Sequence, residues 1–206
     1  VGGVYNTAVA EEENCIMIQR QGIEILLEQL ANGSASDPDA QWKAAIALGE
    51  VQSAGEKQRA VPALIESLTS GRAHALIRAH AVQSLGRLGD GQAVPVLISA
   101  LHDSYRLVRA YAAGALAALA DAQAIEPLLQ VLEADDFFGV RAEAARAVAL
   151  LSAGQADALV QRVRAVLRQR REVESASAEA GAERVVTEID RAFDRLETKV
   201  PDRGGE

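Results

Sequence analysis

The chain has 206 residues, 29 acidic and 21 basic, and its formal net charge of −8 at pH 7 repels phosphate backbones, which weighs against nucleic acid as a partner. Hydrophobic residues make up 49% of it but aromatic ones only 3%, so a sizeable core must be packed with Ala, Leu and Val. That composition favours helices over a β-sandwich, and no apolar run is long enough for a transmembrane helix.

Residues 1–21 are weakly patterned. The start at Val1 and the acidic Glu11, Glu12 and Glu13 do not resemble a signal peptide, and Ile16 and Ile18 allow one short helix that would cap the first repeat unit. Cys15, the single cysteine, excludes an intramolecular disulfide and reads as a small buried hydrophobe in a reducing, cytoplasmic setting.

From residue 22 the apolar pattern becomes periodic. Ile23, Leu26, Leu27 and Leu30 form an i, i+3, i+4, i+7 stripe that recurs as Val61, Leu64, Ile65, Leu68, then Val94, Leu97, Ile98, Leu101, and again as Ile125, Leu128, Leu129, Leu132. Pro62, Pro95 and Pro127 are expected at the starts of three of these helices, where the missing N–H costs nothing.

Each stripe is followed by a second helix. Ile77-Arg78-Ala79-His80-Ala81-Val82-Gln83-Ser84-Leu85-Gly86-Arg87-Leu88-Gly89-Asp90 recurs from Val108-Arg109 to Asp121 and from Val140-Arg141 to Leu151, with the arginines 31 and 32 residues apart. A fainter copy has Ala44, Ala45, Leu48 and Gly49 in register and Gln41 at the arginine position. Gly71, Asp103 and Asp135-Asp136 mark the turns inside the pairs, while Gly89-Asp90 and Ala120-Asp121 close second helices. One pair cannot bury its stripe alone, so the units must stack, and the small Ala47, Ser84, Ala115 and Ala147 are expected where neighbouring second helices approach.

The expected fold is thus all-α: a solenoid of about four to five helix pairs, wound as a right-handed superhelix, with residues 22–153 as its body. The unit, an apolar first helix with an early Pro and then Val-Arg-x-x-Ala-Ala-x-x-Leu-Gly-x-Leu-Gly-Asp, resembles the HEAT-like repeat of the phycobilisome lyase family. The likeness covers nearly two-thirds of the chain. It implies a HEAT-type solenoid and, as a second possibility for function, a subunit of a bilin lyase.

Residues 154–200 read as a long helix to about Glu174, open to use as the first helix of a degenerate fifth unit, then a small-residue break and an amphipathic helix from Ala182 to Lys199. Val185, Val186, Ile189, Phe193 and Leu196 form its stripe, which would cap the stack or dock a partner. Residues 201–206 read as a loose tail.

Site chemistry is scarce. His74, His80 and His102 stand apart and no His-Glu dipeptide occurs, unlike deoxyhypusine hydroxylase, a HEAT-type enzyme that resembles this fold and holds iron with such pairs. No phosphate loop, nucleophile elbow or dinucleotide fingerprint is present, so no catalytic residue, metal or cofactor is assigned. Arg162, Arg164, Arg168, Arg170 and Arg171 cluster in one helix rather than along a groove such as the HEAT-like alkylpurine glycosylases need, and read as a solvated face near Glu172 and Glu174. The repeated Arg78, Arg109 and Arg141 read as structural, each pairing with turn carboxylates of its own unit such as Asp103 or Asp135.

The expected function is that of a non-catalytic scaffold or adaptor binding another protein. Counted from the arginine position, the second, fifth and ninth residues face away from the stripe and should line the inner face of the stack. They are Lys43, Ile46 and Glu50, then His80, Gln83 and Arg87, then Tyr111, Gly114 and Ala118, and last Glu143, Arg146 and Leu150. Their chemistry changes from unit to unit. Trp42, beside this face, is expected to be buried by packing.

Overall fold

A computed structural model describes residues 22–33, 37, 39–71 and 73–197. The expected short helix around Ile16, Cys15, most of the segment Ser34 to Pro38, Lys199 and residues 201–206 lie outside the described residues. Ten α-helices are described: α1 (Ile23–Asn32), α2 (Ala40–Leu48), α3 (Ala54–Thr69), α4 (Ala75–Leu88), α5 (Val94–Ala100), α6 (Arg106–Leu119), α7 (Ile125–Ala134), α8 (Phe138–Ser152), α9 (Asp157–Ser175) and α10 (Ala182–Glu197). They alternate as first and second helices of five pairs. The chain divides after Val96 into two compact units.

In the first unit α1 packs on α2, α3 on α4, and the two second helices α2 and α4 pack on each other. Their approach is very close. A Cβ built on Gly49 would lie 2.9 Å from Ser84 Cα, so α2 can end here only in glycine without pushing α4 away. Gly49 N–H turns to the Ile46 carbonyl at 2.9 Å, and Ser84 Oγ donates to the Ala45 carbonyl at 2.7 Å, so one helix caps an end of its neighbour.

Pro62 is not at a helix start. It lies inside α3, which begins at Ala54 behind a capping box in which Ser53 Oγ accepts from Glu56 N–H and the Glu56 carboxylate accepts from Ser53 N–H. Pro95 and Pro127 do stand in the first turns of α5 and α7, each behind a short 3₁₀ turn, Gly91–Ala93 or Ala122–Ala124, whose aspartate, Asp90 or Asp121, accepts from the N–H two residues on. α4 closes on Gly89 at φ 71°, whereas α6 closes on Ala120 at φ 56°, a left-handed position that disfavours a side chain.

In the second unit α8 is the hub, packed against α6, α7, α9 and α10. Ten of its fifteen residues are buried, and Ala144, Ala145, Ala147 and Ala149 let its neighbours come close on several sides. α10 lays Val185, Ile189, Ala192 and Leu196 on this hub and on α9, so it stands where the second helix of a fifth pair would stand. Val186 and Phe193, read as part of that stripe, are only half-buried.

The repeated arginines join the turns, with one correction to the expected partners. Arg109 Nη1 donates to the Asp103 carbonyl at 3.1 Å and Arg141 Nη1 to the Asp135 carbonyl at 3.0 Å, so each arginine binds a backbone oxygen of its own turn, and at Arg109 the charge of the Asp103 carboxylate adds to it. The hydrogen-bonded carboxylates come from the next pair. Arg109 reaches Asp135 at 2.6 and 2.9 Å and Asp136 at 2.6 Å, and Arg141 reaches Glu174 at 2.6 Å and Glu179 at 2.7 Å. Arg78 Nη1 donates to the Ala73 carbonyl at 2.8 Å, and Gln41 Nε2 to the Leu30 carbonyl at 3.2 Å, which keeps the backbone half of the role in the worn first pair.

Arg141 and Glu174 are each only 2% exposed, and Arg170 also donates to Glu174. Burial raises the pKa of Glu174, but the Arg141 and Arg170 hydrogen bonds outweigh it and hold the carboxyl below its ordinary value of 4.5. Its contribution to stability is therefore present at neutral pH and is lost as pH falls below that value toward the lowered folded one. Glu174→Gln should cost about 3 kcal/mol at pH 7, and the gap to wild type in thermal melts should narrow toward pH 3. A constant gap would show that the ion pair contributes nothing through its charge.

Ala115 is buried and Ala118 is exposed on the same helix. Ala115→Leu should lower the melting point through overpacking of about 1–3 kcal/mol, while Ala118→Leu should leave it nearly unchanged. Equal melting temperatures would mean that the two faces are misassigned.

Candidate protein-binding face

The twelve face positions all stand outside the buried core, and each unit presents six of them. In the first unit the contact between Gly49 and Ser84 sets α2 beside α4 and places Trp42 against His80, ring centroids 5.5 Å apart and tilted by 32°. Trp42 is half-buried rather than enclosed, because this ring contact covers one side of it. Lys43 Nζ lies 5.8 Å from the Trp42 ring centre and 2.9 Å from Asp37, and Arg87 pairs with Glu50 across the two helices. Ile46 and Gln83 are half-buried between these charges.

In the second unit Tyr111, Gly114 and Ala118 run along α6 opposite Glu143, Arg146 and Leu150 of α8. Arg146 pairs with Glu143 at 2.9 Å, and its guanidinium lies beside Gly114, 3.6 Å from where a Cβ would stand, an ordinary contact distance. Leu150 is 42% exposed, a large apolar side chain turned to solvent.

His80 is a perturbed titratable group on this face. Its Nδ1 is buried with no hydrogen-bond partner; burial, only partly offset by a hydrogen bond with Gln83 and aided least by the Arg87 charge, holds its pKa below the ordinary 6.5.

Sequence reasoning did not anticipate an open groove of about 620 Å³ at the turn end of the second unit, walled by Leu101, His102, Val131 and the Arg109 cluster. Arg109 already holds Asp135 and Asp136, so its charge is satisfied within the protein. The basic cluster of α9 is likewise spent internally: Arg162 on Glu126, Arg164 on the Leu196 carbonyl, Arg170 on Glu174 and the Glu133 carbonyl, and Arg171 on Asp190. Arg168 is exposed. Among the described residues no three His, Cys, Asp or Glu side chains converge as a metal site, and no helix is long and apolar enough to cross a membrane.

Stacked helix pairs with a varied outward face define an α-helical repeat protein. The family model for HEAT repeats matches residues 23–110 and again 94–181, and the chain belongs to that family. No curated protein matches it. Among solved structures it is similar to two crystal structures of engineered proteins. The first is 23% identical with a TM-score of 0.59, over 85% of this chain and 79% of that one. The second is 22% identical with a TM-score of 0.58, over 89% of this chain and 50% of that one. At that identity the likeness speaks for the fold.

Because His80 binds a proton less readily folded than unfolded, stability should be full at neutral pH and fall as pH drops through 6.5 toward the lowered folded value. Melting curves between about pH 7 and pH 5 should therefore show a decline that His80→Gln removes. The same slope in both proteins would place the titration elsewhere.

Proposed function

We propose that the chain is a non-catalytic scaffold or adaptor of the cytoplasm that binds another protein on the inner, concave face of the solenoid, through the solvent-facing positions of its second helices. The observation that carries the reading is the contrast between two classes of position. Those required by the repeat are consumed in packing and ion pairs, whereas the twelve outward positions differ in every pair and include aromatic, cationic and large apolar side chains. Lys43, Ile46, Glu50, His80, Gln83 and Arg87 form the candidate set of the first unit, and Tyr111, Gly114, Ala118, Glu143, Arg146 and Leu150 that of the second.

A bilin-lyase subunit is the second reading, supported by the Val-Arg-x-x-Ala-Ala repeat at Arg109 and its relatives. It requires the purified chain to red-shift bilin absorbance, and no spectral change at high micromolar bilin would remove it. Nucleic-acid binding would show as a mobility shift that weakens steeply with salt.

Tyr111→Ala should weaken a partner captured from the native cell by about 1 kcal/mol or more, since tyrosine is enriched at binding hot spots. Its melting temperature should hardly change, because the side chain is outside the core. A triple His80, Arg87 and Tyr111 alanine variant that keeps wild-type affinity would move the interface off this face.

A further inference from the structure

The groove of the second unit lies between two turns, the one joining α5 to α6 and the one joining α7 to α8. Arg109 ties them together, donating to the Asp103 carbonyl and to the carboxylates of Asp135 and Asp136. The volume of about 620 Å³ falls within the roughly 300–1,000 Å³ usual for ligand sites and is more than one side chain fills. Its floor is apolar, built from Leu101, Val131 and the exposed Ala134 at the end of α7.

The rim carries the opposite chemistry. Asp103, Asp135 and Asp136 share the single guanidinium of Arg109, so negative charge is left in excess. His102, the other basic side chain of the lining, is exposed to water, and Arg106 leans on the Phe137 ring, 4.7 Å from its centre, outside the lining. Asp136 is the carboxylate open to a further cation: it meets Arg109 through Oδ1 at 2.6 Å, yet its side chain is 91% exposed, against 6% for Asp135.

We infer that this groove docks an extended segment of a partner protein that carries an arginine beside an apolar residue. A hydrocarbon stem ending in a cation matches an apolar floor below an acidic rim. The guanidinium is less strongly hydrated than an ammonium and forks onto a carboxylate, which favours arginine over lysine at Asp136. The apolar neighbour covers the rest of the floor. Phosphate is repelled by the same rim, and among the described residues no three ligating side chains converge to cage a bare metal ion. The site is separate from the inner face, since none of the twelve face positions lines it, and the two are tested apart.

The test titrates the full, isotope-labelled chain with the capped peptide Leu-Arg-Leu at up to millimolar concentration and follows backbone amide shifts. Amides at residues 101–104 and 130–136 should move. The same peptide with citrulline for arginine, equal in shape but uncharged, should bind about tenfold or more weakly. Asp136→Asn should weaken the arginine peptide about threefold or more, and Ala134→Arg, which places a cation of the chain's own in the groove, should abolish its shifts while the amides of α8 stay at their wild-type positions. No shifts at these residues would overturn the inference, as would equal affinity for the two peptides, which would leave an apolar ligand as the occupant. Shifts that appear at Tyr111 and Leu150 instead, or that survive Ala134→Arg, would overturn it by placing the peptide outside the groove.

Discussion

A guanidinium removed from water has to be neutralised and to have its donors filled, and Arg141 can satisfy neither demand inside its own helix pair. Its turn offers one carbonyl, at Asp135; the carboxylates stand on Glu174 and Glu179 of the next pair. The cost of burying the charge therefore becomes a condition on stacking. α8 is seated correctly only when α9 and its turn are in place, and Arg109 imposes the same condition one pair earlier through Asp135 and Asp136. Because Asp135 gives its carboxylate to Arg109 and its carbonyl to Arg141, successive turns share one residue.

The apolar packing obeys the same logic by a different route. Alanines along α8 allow α6, α7, α9 and α10 to close on it, and between α2 and α4 the approach is tight enough that glycine is needed. Ser84 turns a close contact into a hydrogen bond at the end of α2, where the Ala45 carbonyl has no Gly49 N–H to accept. Within a unit, charge and packing thus tie a pair to its neighbour as well as to itself, which is how a one-dimensional array gains cooperativity.

The period of the apolar stripe made the fold legible, because a helix pair repeated in register has one stable arrangement. The arginines were legible as structural for the same reason, but their acidic partners were not. Arg109 pairs 26 residues ahead with Asp135 and Arg141 pairs 33 ahead with Glu174, so the second partner is not where the repeat period would place it. The start of α3 escapes the sequence pattern because Pro62 is a strong helix-start signal in the two later pairs, while Ser53 and Glu56, a capping box with the right spacing, lie nine and six residues before it. α10 kept an amphipathic stripe but not the Val-Arg start, so its place beside α8 depended on contacts that only the structure supplies.

The candidate face consists of the positions these ties leave over. A position that must pack or pair in every unit cannot vary, and the outward positions of the second helices escape that constraint. Even so, they are not equivalent. Glu50 with Arg87, and Glu143 with Arg146, already satisfy each other, and a partner would have to outcompete those pairs to use their charge. Tyr111 and Leu150 carry no such debt: their side chains are outside the core, and covering them removes apolar surface from water without breaking an ion pair. Binding energy on this face should therefore concentrate on the apolar and aromatic positions, with the charged pairs setting orientation at the rim.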